Sequence, residues 1–140
     1  MAEFIMKDLL KKAGRSQDCL VASSATSTEE IPNGVGNPVY PPARAELLRH
    51  GIECERRQAV LLKPSDYEEY DLLIGMDRAN LRNMHRILGG DPQGKLRLLM
   101  DYTDRGGEVA DPWYSDRFDI TYRDIEEGCR GLLATFIGLE

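Results

Sequence analysis

The sequence is short of the groups that hold metals and disulfides. It has three cysteines (Cys19, Cys54, Cys129) and two histidines (His50, His85). The cysteines are odd in number, lie far apart and form no Cys-x-x-Cys pair. That spacing fits neither a zinc site nor a disulfide framework. The expectation is reduced thiols acting as small apolar side chains in a cytoplasmic setting, with no metal and no cofactor. Basic charge is scarce too: 18 Lys and Arg stand against 24 Asp and Glu, a net charge of −6. No Lys/Arg run marks a surface for nucleic acid or membrane, so neither partner is expected. No apolar run reaches the roughly 20 residues of a spanning helix, and no leader pattern opens the chain. Internal repeats and low-complexity tracts are lacking as well.

What is present is an ordinary globular composition. The chain has 140 residues, 41% hydrophobic and 30% charged, which predicts one domain over residues 1–140. Residues 1–13 read as a helix with Ile5, Met6, Leu9 and Leu10 on one stripe, stopped by Gly14. A short buried strand is expected over residues 19–22. An irregular stretch follows, in which Gly34-Val35-Gly36 has neither the preceding strand nor the following helix of a phosphate loop. A helix is expected from Pro41 to His50, ended by Gly51. Residues 52–62 read as a loop leading to an extended piece, and 64–70 as one or two helical turns. The apolar run 72–76 has the length of a doubly covered central strand. Asp77 is a good N-cap for a helix over 78–88, which Gly89-Gly90 would end. A further strand is expected over 96–100. The last helix would be capped by Asp119 or Thr121 and bury Ile125, Cys129, Leu132, Leu133, Phe136 and Ile137. Strands alternating with helices predict an α/β fold, a parallel sheet flanked by helices on both faces.

The chemistry gathers at Asp111-Pro112-Trp113-Tyr114. This stretch lies in a long loop beyond the expected strand 96–100, and ligands of parallel sheets bind outside the carboxyl ends of strands. A loop carboxylate beside aromatic faces can give a proton to an aryl leaving group. Asp-Pro also opens ordinary turns, and Trp and Tyr also cover core edges. On spacing alone both readings stay open. Arg44, Arg49, Arg56 and Arg57 fit a solvated face better than an anion site.

Read in order, several segments resemble the low-molecular-weight protein tyrosine phosphatases. They are Met1-Ala2-Glu3-Phe4, Ser23-Ser24-Ala25-Thr26-Ser27, Arg49-His50-Gly51-Ile52, Met76-Asp77 with Asn80, Asp111-Pro112-Trp113-Tyr114, and the stretch from Tyr122 to Cys129. The resemblance spans nearly the whole chain. It implies a four-stranded parallel sheet and hydrolysis of a phosphate monoester through a cysteinyl-phosphate. The substrate implied is a phosphotyrosine protein or a small aryl phosphate. Asp111 would be the general acid and then base, Trp113 and Tyr114 would wall the aryl ring, and Ser23 would support the phosphate loop. One departure stands in the support region, where Arg56 and Arg57 take the place of a histidine common in the family.

The family's nucleophile belongs to a Cys-x5-Arg-Ser-Pro loop, preceded by a strand, just before the Met-Ala-Glu segment. No cysteine here has arginine six positions on: Ala25 follows Cys19, Val60 follows Cys54 and Thr135 follows Cys129. The resemblance thus implies an N-terminally truncated member lacking the first central strand and the phosphate loop. Such a chain is expected to be inactive on its own, because loss of a nucleophile costs on the order of 10⁴–10⁶ in rate. Its unpaired sheet edges would close up or pair in a homo-oligomer. The other readings are a parent with phosphoarginine phosphatase or arsenate reductase activity, and a non-catalytic interaction module. Trp113-Tyr114 speaks against phosphoarginine, and the lack of paired cysteines against arsenate.

Overall fold

The computed structural model describes residues 1–26, 39–54 and 58–138. Ser27, the Gly34–Gly36 stretch, Arg56 and Arg57 lie outside the described residues. Along the chain come α1 (Ala2–Lys12), α2 (Pro41–Arg49), α3 (Asp66–Glu69), β1 (Leu73–Gly75), α4 (Arg78–Leu88) and β2 (Leu96–Leu98). A 3₁₀ turn (Leu99–Tyr102), the short α5 (Pro112–Ser115) and the long α6 (Phe118–Ile137) complete it.

Local chemistry accounts for several of the helix ends. Pro41 opens α2 at a position where a missing N–H costs nothing. Asp77 caps α4, its carboxylate accepting the Asn80 N–H at 2.7 Å, and Gly89 closes that helix at φ 75°.

β1 and β2 run parallel, with Leu73 opposite Leu96 and Gly75 opposite Leu98. Alternation along β1 splits two cores. Ile74 and Met76 pack on the larger one, built from Phe4, Ile5 and Leu10 of α1, Leu47 of α2, Leu99 and Met100 of the 3₁₀ turn, and Tyr122, Ile125, Cys129 and Leu133 of α6. Leu73 joins Leu62, Tyr67, Met84 and Leu96 in the smaller one, under α3 and α4. Each large apolar side chain buried this way contributes about 1.5–3 kcal/mol, so the larger core dominates stability. The small parallel sheet is therefore covered by helices on both faces, as the alternation of elements predicts.

The close approach of α6 to the 3₁₀ turn depends on two glycines one turn apart. A Cβ on Gly128 would meet Leu99 Cγ at 2.5 Å, and one on Gly131 would collide with the Tyr102 carbonyl oxygen. Only glycine lets the helix backbone come that near.

Several expectations need correction. Residues 19–22 form no strand, and Leu20 is 86% exposed. Pairing further on includes a parallel bridge between the described residues Ala25 and Leu61, closed by Ala25 N–H to Val60 O at 2.7 Å and Leu62 N–H to Ala25 O at 2.8 Å. A strand needs a neighbour for its backbone groups, and among the described residues β1 pairs with β2 alone. The described sheet is thus two-stranded, where the resemblance implies four. The strand expected over 96–100 stops at Leu98. Leu99 and Met100 are both buried, and a 3₁₀ turn sends both side chains into the larger core where a strand would send them to opposite faces. The last helix begins at Phe118, before Asp119, and takes no side-chain cap. Asp119 pairs instead with Arg117 at 3.0 Å. Phe136 lies outside the core at 53% exposure, its ring edge-on to Tyr102. No described helix is long and apolar enough to cross a membrane.

Candidate active site

The carboxyl end of β1 organises the site. Gly75 sits against α4, so that a Cβ there would come within 3.3 Å of Asn80 Cβ. That proximity lets Asn80 Oδ1 accept the Met76 N–H at 3.1 Å, while Met76 O accepts the Val109 N–H at 3.0 Å. Met76-Asp77-x-x-Asn80 is therefore one device: Asp77 starts the helix, and Asn80 ties it back to the strand.

The chain arrives at Asp111 under restraint at each preceding residue. Glu108 Oε2 accepts the Arg78 N–H at 2.7 Å, placing a carboxylate at the positive end of α4. Val109 is buried as well as bonded to Met76. Ala110 is held through both its backbone groups by α6. Its N–H donates to Asp124 Oδ2 at 3.0 Å, and its carbonyl accepts from Thr121 Oγ1 at 2.8 Å. Asp124 is only 4% exposed, and its other oxygen takes a 2.7 Å hydrogen bond from Arg105, which also reaches Glu127 at 2.7 Å. Hydrogen bonds to Glu127 and then to Asp124 raise the Arg105 guanidinium above its ordinary pKa.

Asp111 itself is exposed. It borders an open hollow of about 600 Å³ whose rim also includes Asp77, Arg78, Ala79, Arg82, Glu108, Val109 and Ala110. Arg78 and Arg82 thus line the same hollow as the candidate proton donor. Trp113 and Tyr114 follow in α5, and their side chains lie outside the described part of the structure.

Ser23 stands at the first turn of α1. Its hydroxyl donates to Glu3 Oε1 at 2.7 Å, and Lys7 donates to Glu3 Oε2 at 2.7 Å. Glu3 is 3% exposed, a carboxylate on a helix face otherwise apolar. Sequence reasoning missed both Glu3 and Asp124. The signal for Glu3 was its spacing, three and seven residues before Met6 and Leu10. For Asp124 it was a place beside Ile125 and one turn after Thr121, on the buried face. Arg49 serves Glu46, donating at 2.8 Å, while Arg44 is exposed. His50 also meets Glu46, at 3.0 Å, and stacks on Tyr122 with ring centroids 3.6 Å apart.

Two of the cysteines have thiols unsuited to nucleophilic attack. Burial pushes Cys129 up to about 12 and raises Cys54, whereas an attacking cysteine needs a lowered pKa. Among the described residues no group of three or more His, Cys, Asp or Glu could hold a metal ion.

This chain and its fold match known proteins. The family model for low molecular weight phosphotyrosine protein phosphatase matches residues 1–137. The Bacillus subtilis low molecular weight protein-tyrosine-phosphatase YfkJ is 28% identical over 137 residues, covering 96% of this chain and 85% of YfkJ. A putative low molecular weight protein-tyrosine-phosphatase of Synechocystis is 32% identical over 147 residues, covering 99% of this chain and 88% of that one. The crystal structure of YfkJ superposes with a TM-score of 0.89 at 27% identity, over 98% of this chain and 85% of that one. The chain belongs to the low molecular weight phosphotyrosine protein phosphatase family.

Proposed function

We propose that this domain serves the hydrolysis of phosphotyrosine-type monoesters, with Asp111 as the proton donor. In the first step a cysteine thiolate forms an S–P bond, the P–O bond to the phenol breaks, and Asp111 gives its proton to the phenolate oxygen. In the second step Asp111 takes a proton from water as that water displaces the cysteine. Ser23 and Glu3 would support the phosphate loop at the start of α1, and Trp113 and Tyr114 would flank the aryl ring. The supporting observation is the setting of Asp111: exposed on a cavity at the carboxyl end of β1, on a segment held at each of its three preceding residues.

Within these 140 residues no Cys-x5-Arg run supplies the thiolate, so the 140-residue chain alone is inactive in this reading. Assay of the purified chain on p-nitrophenyl phosphate is expected to give no turnover above buffer. Turnover that follows the protein peak through gel filtration would overturn that part. Fusing a strand and a Cys-x5-Arg-Ser-Pro loop ahead of Met1 is expected to produce activity, and Asp111→Asn to cut it by roughly 10²–10⁴, the usual worth of general acid catalysis. An Asp111→Asn enzyme as active as its parent would remove Asp111 from the mechanism. The absence of an internal nucleophile favours one other reading, a non-catalytic module that binds aryl phosphates. Saturable binding of phenylphosphonate by the unfused chain would support it.

A further inference from the structure

We infer that Thr121 and Asp124 are positioning residues for Asp111, acting as a two-point clamp on the peptide just before it. This inference rests on the reading of Asp111 as proton donor. A general acid must reach the leaving oxygen within hydrogen-bond distance, and misplacement by about 1 Å can cost two orders of magnitude in rate. Asp111 is an exposed residue on a loop, and loops are the mobile parts of a fold. What precedes it is not free to move. Ala110 gives its N–H to Asp124 and its carbonyl to Thr121, at 3.0 and 2.8 Å.

The clamp residues are themselves immobilised. Thr121 and Asp124 are 5% and 4% exposed and sit one turn apart near the start of the 20-residue α6. Arg105 takes the second Asp124 oxygen, so the carboxylate cannot turn away from Ala110 without losing an ion pair. The helix is in turn seated on the 3₁₀ turn through Gly128 and Gly131. A rigid line thus runs from the larger core through α6 to the backbone of Ala110. Nothing in the local sequence demands this arrangement. An alanine before Asp-Pro could have hung in solvent.

The test separates positioning from bulk stability. Thr121→Val removes the hydroxyl while keeping the side chain's shape, and Thr121→Ser restores it. Asp124→Ala removes the acceptor, and Asp124→Asn keeps an oxygen for the Ala110 N–H. Hydrogen exchange on the unfused chain is expected to show the Ala110 amide exchanging about tenfold faster in Thr121→Val and Asp124→Ala, the equivalent of one hydrogen bond. The Leu73 amide, bonded to Lys95 O in the sheet, is expected to keep its rate. Acrylamide quenching of the chain's one tryptophan, Trp113, should change in those variants and stay at the parent value in Thr121→Ser. Equal acceleration of Ala110 and Leu73 would mean loss of stability alone and overturn the clamp. So would a Thr121→Ser protein that behaves like Thr121→Val.

In the loop-fused enzyme, Thr121→Val is expected to lower kcat/KM on phenyl phosphate several-fold more than on p-nitrophenyl phosphate, because the poorer leaving group depends more heavily on the proton. The same split is expected, larger, for Asp111→Asn. If Asp111→Asn shows no split, the reading of Asp111 has failed, not the clamp. If Asp111→Asn shows it and Thr121→Val does not, the clamp has failed.

Discussion

Two stretches of this chain carry candidate site residues, and they are held in very different ways. Glu108–Asp111 is tied to β1, to the start of α4 and to α6, one residue after another. Residues 19–26 are tied by the Ser23–Glu3 bond and the Ala25–Leu61 bridge, with Leu20 turned to solvent between those ties and α1. The difference comes from what each stretch passes over. The first crosses the end of a paired strand and the face of a long helix, which together offer fixed donors and acceptors. The second runs where the described sheet has no further strand to offer. A loop is as rigid as the elements that can reach its backbone.

The contrast can be broken from the rigid side first. Gly131→Ala is expected to have the largest effect, because its methyl would strike the Tyr102 carbonyl, a backbone atom that cannot swing aside. Circular dichroism on heating should show no cooperative melt. Leu47→Ala empties a site of 0% exposure between α2 and α6 and is expected to cost about 3 kcal/mol by urea unfolding. Ser23→Ala removes one hydrogen bond to a carboxylate that Lys7 still serves, and about 1 kcal/mol is expected by the same measurement. Leu20→Ala, at 86% exposure, should fall within about 0.5 kcal/mol of the parent. A Leu20→Ala cost near that of Leu47→Ala would mean that Leu20 is buried in solution and that the contrast is false.

A pH titration sharpens the comparison at a third place. Burial pushes Asp91 up, but hydrogen bonds from Tyr67, Lys95 and Leu96 outweigh it and hold this carboxyl below its ordinary value. A depressed folded-state pKa gives stability that is present above the unfolded value of about 3.9 and lost as pH falls through the folded one. Melting temperature should therefore drop on acidification below about pH 4, and Asp91→Asn should flatten that part of the curve. An unchanged slope in Asp91→Asn would show that other carboxylates govern acid unfolding.

The legible parts of the sequence were those with short-range causes. Asp77 as a cap, Gly89 as a stop and Pro41 as a start each act within one turn of chain, and each lies where the pattern puts it. The apolar run around Leu73–Gly75 announced a strand covered on both faces. Residues 19–22 misled because an apolar run states that burial is wanted, not that a pairing partner is within reach. Leu99 and Met100 misled because a strand and a 3₁₀ turn share the same residue types, and only the position of the larger core chooses between them. Asp124 and Glu3 went unseen because an acidic residue on an apolar face is assigned to solvent until its partner is known. Arg105 lies 19 residues from Asp124, and Ser23 lies 20 from Glu3.

By itself, then, the sequence determined the family, the alternation of helices with a small parallel sheet, and Asp111 as the residue to examine. Those follow from local propensity and from motifs in order along the chain. The tertiary structure alone decided that Ala110 would be gripped from both sides by α6, that Glu3 would be buried under Ser23, and that β1 would keep β2 as its described neighbour. Each depends on groups far apart in sequence meeting at hydrogen-bond distance, and such meetings are set by how the helices pack.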